Sequence, residues 1–317
     1  MKVSTLRIKK YAPAIPAYAA RYLMLLCFSY ALLYPFIYMG VNSVKNPTDW
    51  LDPTVTWIPK SLNFDNFVVA FKYMNYWKTL WYTFLNCIVP ALISFFSCAV
   101  AGYGLARFKF KGRGILNAIM IICIMIPDPL IMIPSYNNFR HLDFLGIFRL
   151  IYSLTGTDLR VSIVNTPLVF IIPAILAVGI KNGLFIYIYS QFFKGLPKEL
   201  EEAAWIDGAG PYKTFLNIVL PSSGASNITV LVFAVVWYWN DYYQAQIYLS
   251  DKLPISVVLS NFNNNLTTIF DIRTQYVFTN GTLLLTCCLI AILPVLIFFL
   301  FMQRKFVQSI ATCGIVG

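Results

Sequence analysis

A chain of 317 residues that is 59% hydrophobic and 12% charged, with mean hydropathy +0.68, fits poorly with a water-facing surface and excludes an ordinary soluble domain. Its formal charge of +11 is scattered over loops and tails; without a continuous basic stripe it does not point to nucleic acid. Six of the seven cysteines (Cys27, Cys87, Cys98, Cys123, Cys287 and Cys288) fall in apolar segments and the seventh is Cys313, so neither a disulfide framework nor a paired-cysteine metal pattern is present.

A spanning helix needs about 20 mainly apolar residues. Six segments meet that length: Tyr22 to Val44, Thr79 to Leu105, Ile115 to Asn137, Pro167 to Phe193, Gly224 to Ile247 and Tyr276 to Met302. The expected fold is an all-α integral membrane protein with six transmembrane helices over residues 22–302, flanked by tails at 1–21 and 303–317. The first segment follows Lys2, Arg7, Lys9 and Lys10 but is longer than the apolar core of a signal peptide, and no small-residue cleavage site follows it, so it reads as retained.

The connection from Lys45 to Trp77 carries Trp50, Trp57, Tyr73, Tyr76 and Trp77 around Pro47, Pro53 and Pro59. That composition suits short elements at a membrane interface, as an aromatic belt or as contact with an external protein. Asn86 opens the second apolar run, as a helix-to-helix hydrogen bond or a ligand contact. In the third segment Asp128 stands between Pro127 and Pro129, and in the fourth Lys181 precedes Asn182 and Gly183. Charges within spans face a bundle interior or a wet cavity. Asp128 either satisfies backbone donors freed by a broken helix or lines a cavity, and Lys181 pairs with Asp128 or contacts an acidic sugar. His141, the sole histidine, has no cysteine or nucleophile beside it, which argues against a metal site or triad.

A polar stretch from Glu199 to Pro221 then interrupts the apolar pattern. Pro197 is suited to opening a helix, and Glu199, Glu201 and Glu202 place negative charge in its first turn, where the helix dipole favours it. Gly208 is placed to end this helix near Asp207. Pro211 opens a second helix, which Pro221 closes. Ala203 and Ala204 let another surface come close, while the carboxylates offer bonds to a partner's basic side chains. The alternative is an interfacial helix with Leu196, Leu200 and Ile206 on lipid. The fifth segment ends in Trp237, Tyr238, Trp239, Asn240, Asp241, Tyr242 and Tyr243, aromatic and amide groups of the kind sugar sites use, although packing accounts for most of the rings. With six crossings, 14 of the 24 Lys and Arg residues lie on the side of the two tails, which places both ends in the cytoplasm by the positive-inside rule.

The order Glu202-Ala203-Ala204, Asp207-Gly208-Ala209, then Ile218, Leu220 and Pro221 resembles the "EAA" signature of bacterial ABC importer permeases, between the fourth and fifth spans where that family carries it. Ala101 to Phe108 followed by Phe110 to Arg113, Trp239-Asn240-Asp241, and the ending from Gln303 to Gln308 with a terminal glycine resemble the carbohydrate branch, in particular the maltose-type second permease. The tail departs from the family pattern at Ser309, Cys313 and Val316.

The resemblance implies a type I importer permease whose cytoplasmic coupling helix, in the loop 194–221, is gripped by an ATPase through Glu199, Glu201, Glu202, Ala203, Ala204, Asp207, Gly208, Ala209, Leu220 and Pro221. The substrate path would draw on Asn86, Asp128, Lys181, Asn182, Trp239, Asn240, Asp241 and Tyr242. Implied partners are a second, nonidentical permease, two ATPase subunits, an external solute-binding protein, an oligosaccharide and the lipid bilayer. No phosphate loop is present, so the chain is expected to be non-catalytic and to bind no cofactor, with ATP and Mg on the ATPase. The alternatives are an importer for amino acids, peptides or phosphonates, a secondary transporter relaying ions through Asp128 and Lys181, and an intramembrane enzyme using Asp128 and Asp241.

Overall fold

Proline lies at the bend of the third apolar segment and just after both π-helical turns. The computed structural model describes residues 15–143, 146–156, 160–262 and 280–313. The basic residues Lys2, Arg7, Lys9, Lys10 and Arg273, the start of the sixth apolar segment at 276–279 and the residues after Cys313 lie outside them. Among the described residues the structure is helical, with two isolated β-bridges, Lys45 to Leu62 and Leu142 to Val161. The chain divides into two units: residues 1–73 with 269–290, and 74–268 with 291–317.

The first unit holds α1 (Ile15–Ser43), α2 (Pro47–Leu51) and α3 (Asp65–Tyr73). Helix α1 is apolar on every side, as a lipid-immersed helix is, and its Leu23, Leu26 and Leu32 are exposed in the chain itself. The connection after it is pinned by Lys45, which is 3% exposed and donates to the carbonyls of Val55 (3.0 Å) and Thr56 (2.7 Å). Asn66 Nδ2 donates to Ser43 O and Lys45 O. Trp57 folds back edge-on against Tyr34, ring centres 5.6 Å apart, so one of the loop's tryptophans packs on the first apolar helix.

The second unit begins with one long apolar run: α4 (Tyr76–Thr83), a π-helical segment Phe84–Ile88 and α5 (Val89–Arg107). Pro90 explains the π turn. Its ring would clash with the carbonyl of residue 86 in a regular helix, and the wider turn, in which Val89 N–H donates to Phe84 O, removes the conflict. The same device recurs at α12 (Pro211–Thr214), a second π segment Phe215–Val219 and α13 (Leu220–Ser222). There Leu220 N–H donates to Phe215 O just ahead of Pro221. The two sites share the pattern Thr-Phe-Leu-Asn, three apolar residues, Pro, at 83–90 and 214–221. Thr83 and Thr214 are both fully buried, with their hydroxyls on the carbonyls of Thr79 and Gly210.

The third apolar segment is not one straight crossing. It forms α6 (Arg113–Met125) and α7 (Asp128–Arg140), bent by 105°, because Pro127 holds Ile126 extended. After α8 (Ile147–Thr155), the fourth segment divides into α9 (Leu168–Ile175) and α10 (Asn182–Gly195), with Ala177 and Lys181 left-handed between them. The polar stretch forms α11 (Glu199–Ile206), followed by α12. Pro221 lies in the last turn of the helical run Pro211–Ser222, which ends one residue later, and the chain then bends by 82° into α14 (Gly224–Asn240). The fifth segment stops at Asn240 and continues as α15 (Tyr243–Tyr248) and α16 (Ile255–Ser260). Helix α17 (Asn280–Cys313) runs well past Met302.

Three helices are long and apolar enough to cross a membrane (Tyr18–Ser43, Tyr76–Arg107 and Gly281–Val307), or five if each bent pair is one span. Against the expected six, the count among the described residues is three to five, because the fourth segment is broken between Ile175 and Asn182 and contributes no single helix of spanning length. The core of the second unit is the contact of α5 with α10. Ala91, Cys98, Ala99, Gly102 and Ala106 give α5 a small-residue face against which Phe185, Tyr189 and Phe193 are fully buried, the close backbone approach by which helices associate in lipid.

Candidate functional site

The acidic first turn of α11 does two different things. Glu199 and Glu202 are exposed, but Glu201 is 5% exposed. Its Oε1 lies 2.6 Å from Arg107 Nε, and its Oε2 accepts from Tyr103 OH at 3.0 Å. Arg107 also donates through Nη2 to Leu196 O at 2.8 Å, so the end of α5 grips both α11 and the strand of chain leading into it. The expectation that all three carboxylates meet a partner is corrected for Glu201, which is consumed inside the chain. Arg107 and Tyr103 were missed by sequence reasoning, although both lie in the motif that follows Ala101.

Helix α11 begins at Glu199, two residues after Pro197, with Glu202 N–H on Lys198 O. It ends in a Schellman motif: Gly208 has φ +79°, Gly208 N–H donates to Trp205 O and Ala209 N–H to Ala204 O. Ala204 is buried while Ala203 is exposed. The outward face thus holds Glu199, Glu202, Ala203 and Asp207 beside Trp205, Ile206 (86% exposed) and Tyr212 (86% exposed), an apolar patch rimmed by acid. Beneath it the Phe215 ring packs 5.1 Å from Tyr103 and 6.4 Å from Phe193. The turn is therefore connected through aromatic contacts to α5 and α10, while Leu220 and Pro221 follow in α13.

The other predicted residues fall into separate settings. Lys181 Nζ lies 2.7 Å from Asp128 Oδ2, an ion pair joining two helix breaks. Asn182 is 1% exposed; with its amide oriented to suit its neighbours it donates to Ser94 Oγ and accepts from Gly179 N–H. Tyr238 OH completes this polar knot, 3.2 Å from Ser94 Oγ and accepting from Ile180 N–H. Asn86 is buried and donates to Lys252 O. Trp239 lines a cavity of about 350 Å³ with Phe84, Leu231, Val235 and Phe298, an almost wholly apolar surface. Asn240 is exposed and donates to Val236 O. Asp241 accepts from the N–H groups of Gln244 and Ala245 in the first turn of α15. Tyr242 is half-buried with its ring 5.3 Å from Tyr243.

The family described as "Binding-protein-dependent transport system inner membrane component" matches residues 96–312. An arabinooligosaccharides transport system permease protein, AraQ, of Halalkalibacterium halodurans is 28% identical over 91% of this chain and 93% of its own length. A probable starch degradation products transport system permease protein, AmyC, of Thermoanaerobacterium thermosulfurigenes is 29% identical over 87% and 89%. In fold, the chain is similar to a subunit in the crystal structure of a bacterial ABC transporter involved in the import of the acidic polysaccharide alginate, with a TM-score of 0.65 and 19% identity over 91% of this chain and 95% of that one.

Proposed function

For a chain that belongs to the binding-protein-dependent transport system inner membrane component family, we propose the role of permease subunit in an ATP-driven importer of oligosaccharides, with α11 as the element through which a separate ATPase moves it. The observation that carries this reading is the mounting of α11: an outward face free for a partner, and an inward carboxylate locked to Arg107 at 2.6 Å. A helix held that way transmits a push as a rigid body to α5 and α10. The saccharide names of the relatives support the substrate class.

In this reading the six apolar segments form the transmembrane domain in the bacterial inner membrane, with both termini and α11 in the cytoplasm. A second permease, two ATPase subunits and an external binding protein complete the complex. ATP and Mg stay on the ATPase. Nucleotide-driven closure of the ATPases favours one packing of the spans over the other, and that difference in binding is what lets ATP drive the change. Purification of the complex in lipid tests this: ATPase activity is expected to copurify and to rise with binding protein and an oligosaccharide, and a chain that moves solute alone would overturn it.

A further inference from the structure

Helix α8 leaves one apolar face uncovered within the chain. Left-handed glycines stand at both its ends, Gly146 (φ +81°) and Gly156 (φ +71°), so the chain turns sharply into the helix and out of it. Ile147, Leu150, Ile151 and Leu154 recur at the spacing of three and four that makes one helix face. Of these, Ile147, Leu150 and Leu154 are 45%, 60% and 77% exposed. Tyr152, two residues before Leu154, lies on another side, and the Arg160 guanidinium sits 5.6 Å from its ring centre.

Position and composition together select what covers that face. Leu142 N–H donates to Val161 O and Ile163 N–H to Phe139 O, which closes the base of the excursion just after α7. The five residues from Leu142 to Ile147 reach at most about 17 Å. Helix α8 therefore stays beside the end of α6 and α7, a bent pair long and apolar enough to cross a membrane. Its uncovered side chains are aliphatic, whereas the hot spots of protein interfaces favour Trp, Tyr and Arg. Residues 140–160 carry Arg140, Arg149 and Arg160 against Asp143 and Asp158. Asp143 Oδ1 accepts from Phe148 N–H at 2.8 Å, so one of the two acids is engaged at the start of the helix. An aliphatic face with a tyrosine and an arginine on another side suits a helix lying in the headgroup region of a bilayer, its tails below and its phosphates alongside.

We infer that α8 is an interfacial anchor: Ile147, Leu150 and Leu154 dip into the acyl-chain boundary, and Arg160, beside Tyr152, meets phospholipid phosphate. The anchor requires the membrane setting that the family gives, and neither a sugar nor an ATPase.

The test is tryptophan fluorescence of the whole complex in nanodiscs of phosphatidylglycerol and phosphatidylethanolamine. The reading is the difference between Leu154→Trp and the wild type, whose seven tryptophans give the background. The added tryptophan is expected to emit blue-shifted light, to be quenched by lipids brominated near the top of the acyl chains, and to resist aqueous iodide. Ser153→Trp, one position round the helix, is expected to respond to iodide instead. A Leu154→Trp signal open to iodide would overturn the anchor. Shielding that arrives only when binding protein is added would overturn it too, by giving the face to that protein. Leu154 is exposed, so the variant is expected to melt as the wild type does; Leu150→Trp gives the same reading if it does not assemble. Failure of the importer reading, seen in ATPase or sugar response, would leave these outcomes unchanged.

Discussion

Arg107 Nε stands 2.6 Å from Glu201 Oε1, with the two side chains 8% and 6% exposed, and so ties the end of a spanning helix to the short helix outside it. Removing one partner of a buried pair leaves an uncompensated charge, at a cost of about 3–5 kcal/mol. Arg107→Met and Glu201→Leu are each expected to lower the melting temperature of the purified complex, and the double variant to lose less than their sum. Additive losses would show that the pair carries no coupling energy.

Glu199 and Glu202 give the contrasting case on the same turn. Both are exposed, so alanine at either is expected to change stability by no more than about 0.5 kcal/mol while weakening recovery of the ATPase with the permease. A pull-down alongside a thermal melt separates the two effects.

Gly208 is held at φ +79° with nothing within 4 Å of a Cβ built there, so the obstacle to substitution is backbone conformation and not space. A non-glycine residue there costs about 1–2 kcal/mol, least for asparagine. Sugar-stimulated ATPase is expected to fall in the order Asn, Ala, Val at this position, and an equal response from Gly208→Val would contradict the turn's role.

Gly102 reverses that logic. A Cβ on it would lie 2.6 Å from Tyr189 Cβ and 3.2 Å from Ile186 O, whereas one on Gly104 meets nothing within 4 Å. Gly102→Ala is expected to cost about 1–3 kcal/mol through separation of α5 from α10, and Gly104→Ala to leave the melting temperature unchanged or raised. Similar melts for the two variants would refute the close packing.

The apolar helical segments and the glycine turn were legible because each depends on local composition or spacing. The breaks were only partly so. Pro127 and Pro129 were noticed beside Asp128, yet a run of apolar residues still read as one crossing, since hydropathy does not register a bend. The π segments had a visible signal in the shared Thr-Phe-Leu-Asn pattern at 83–86 and 214–217, which has meaning only once a proline four residues beyond each asparagine is considered. The pairing of Lys181 with Asp128 followed from the cost of lone charges in lipid. Tyr103 and Glu201, 98 residues apart, had no such constraint; three acidic residues in one helical turn look alike until the fold shows which one faces inward.

The most direct test of α11 as the coupling element is sugar uptake and ATPase activity in proteoliposomes carrying the complex with Glu202→Lys. Glu202 is exposed, so the fold is expected to melt as the wild type does, while sugar-stimulated ATPase and uptake are both lost. Full sugar uptake by Glu202→Lys would contradict the account.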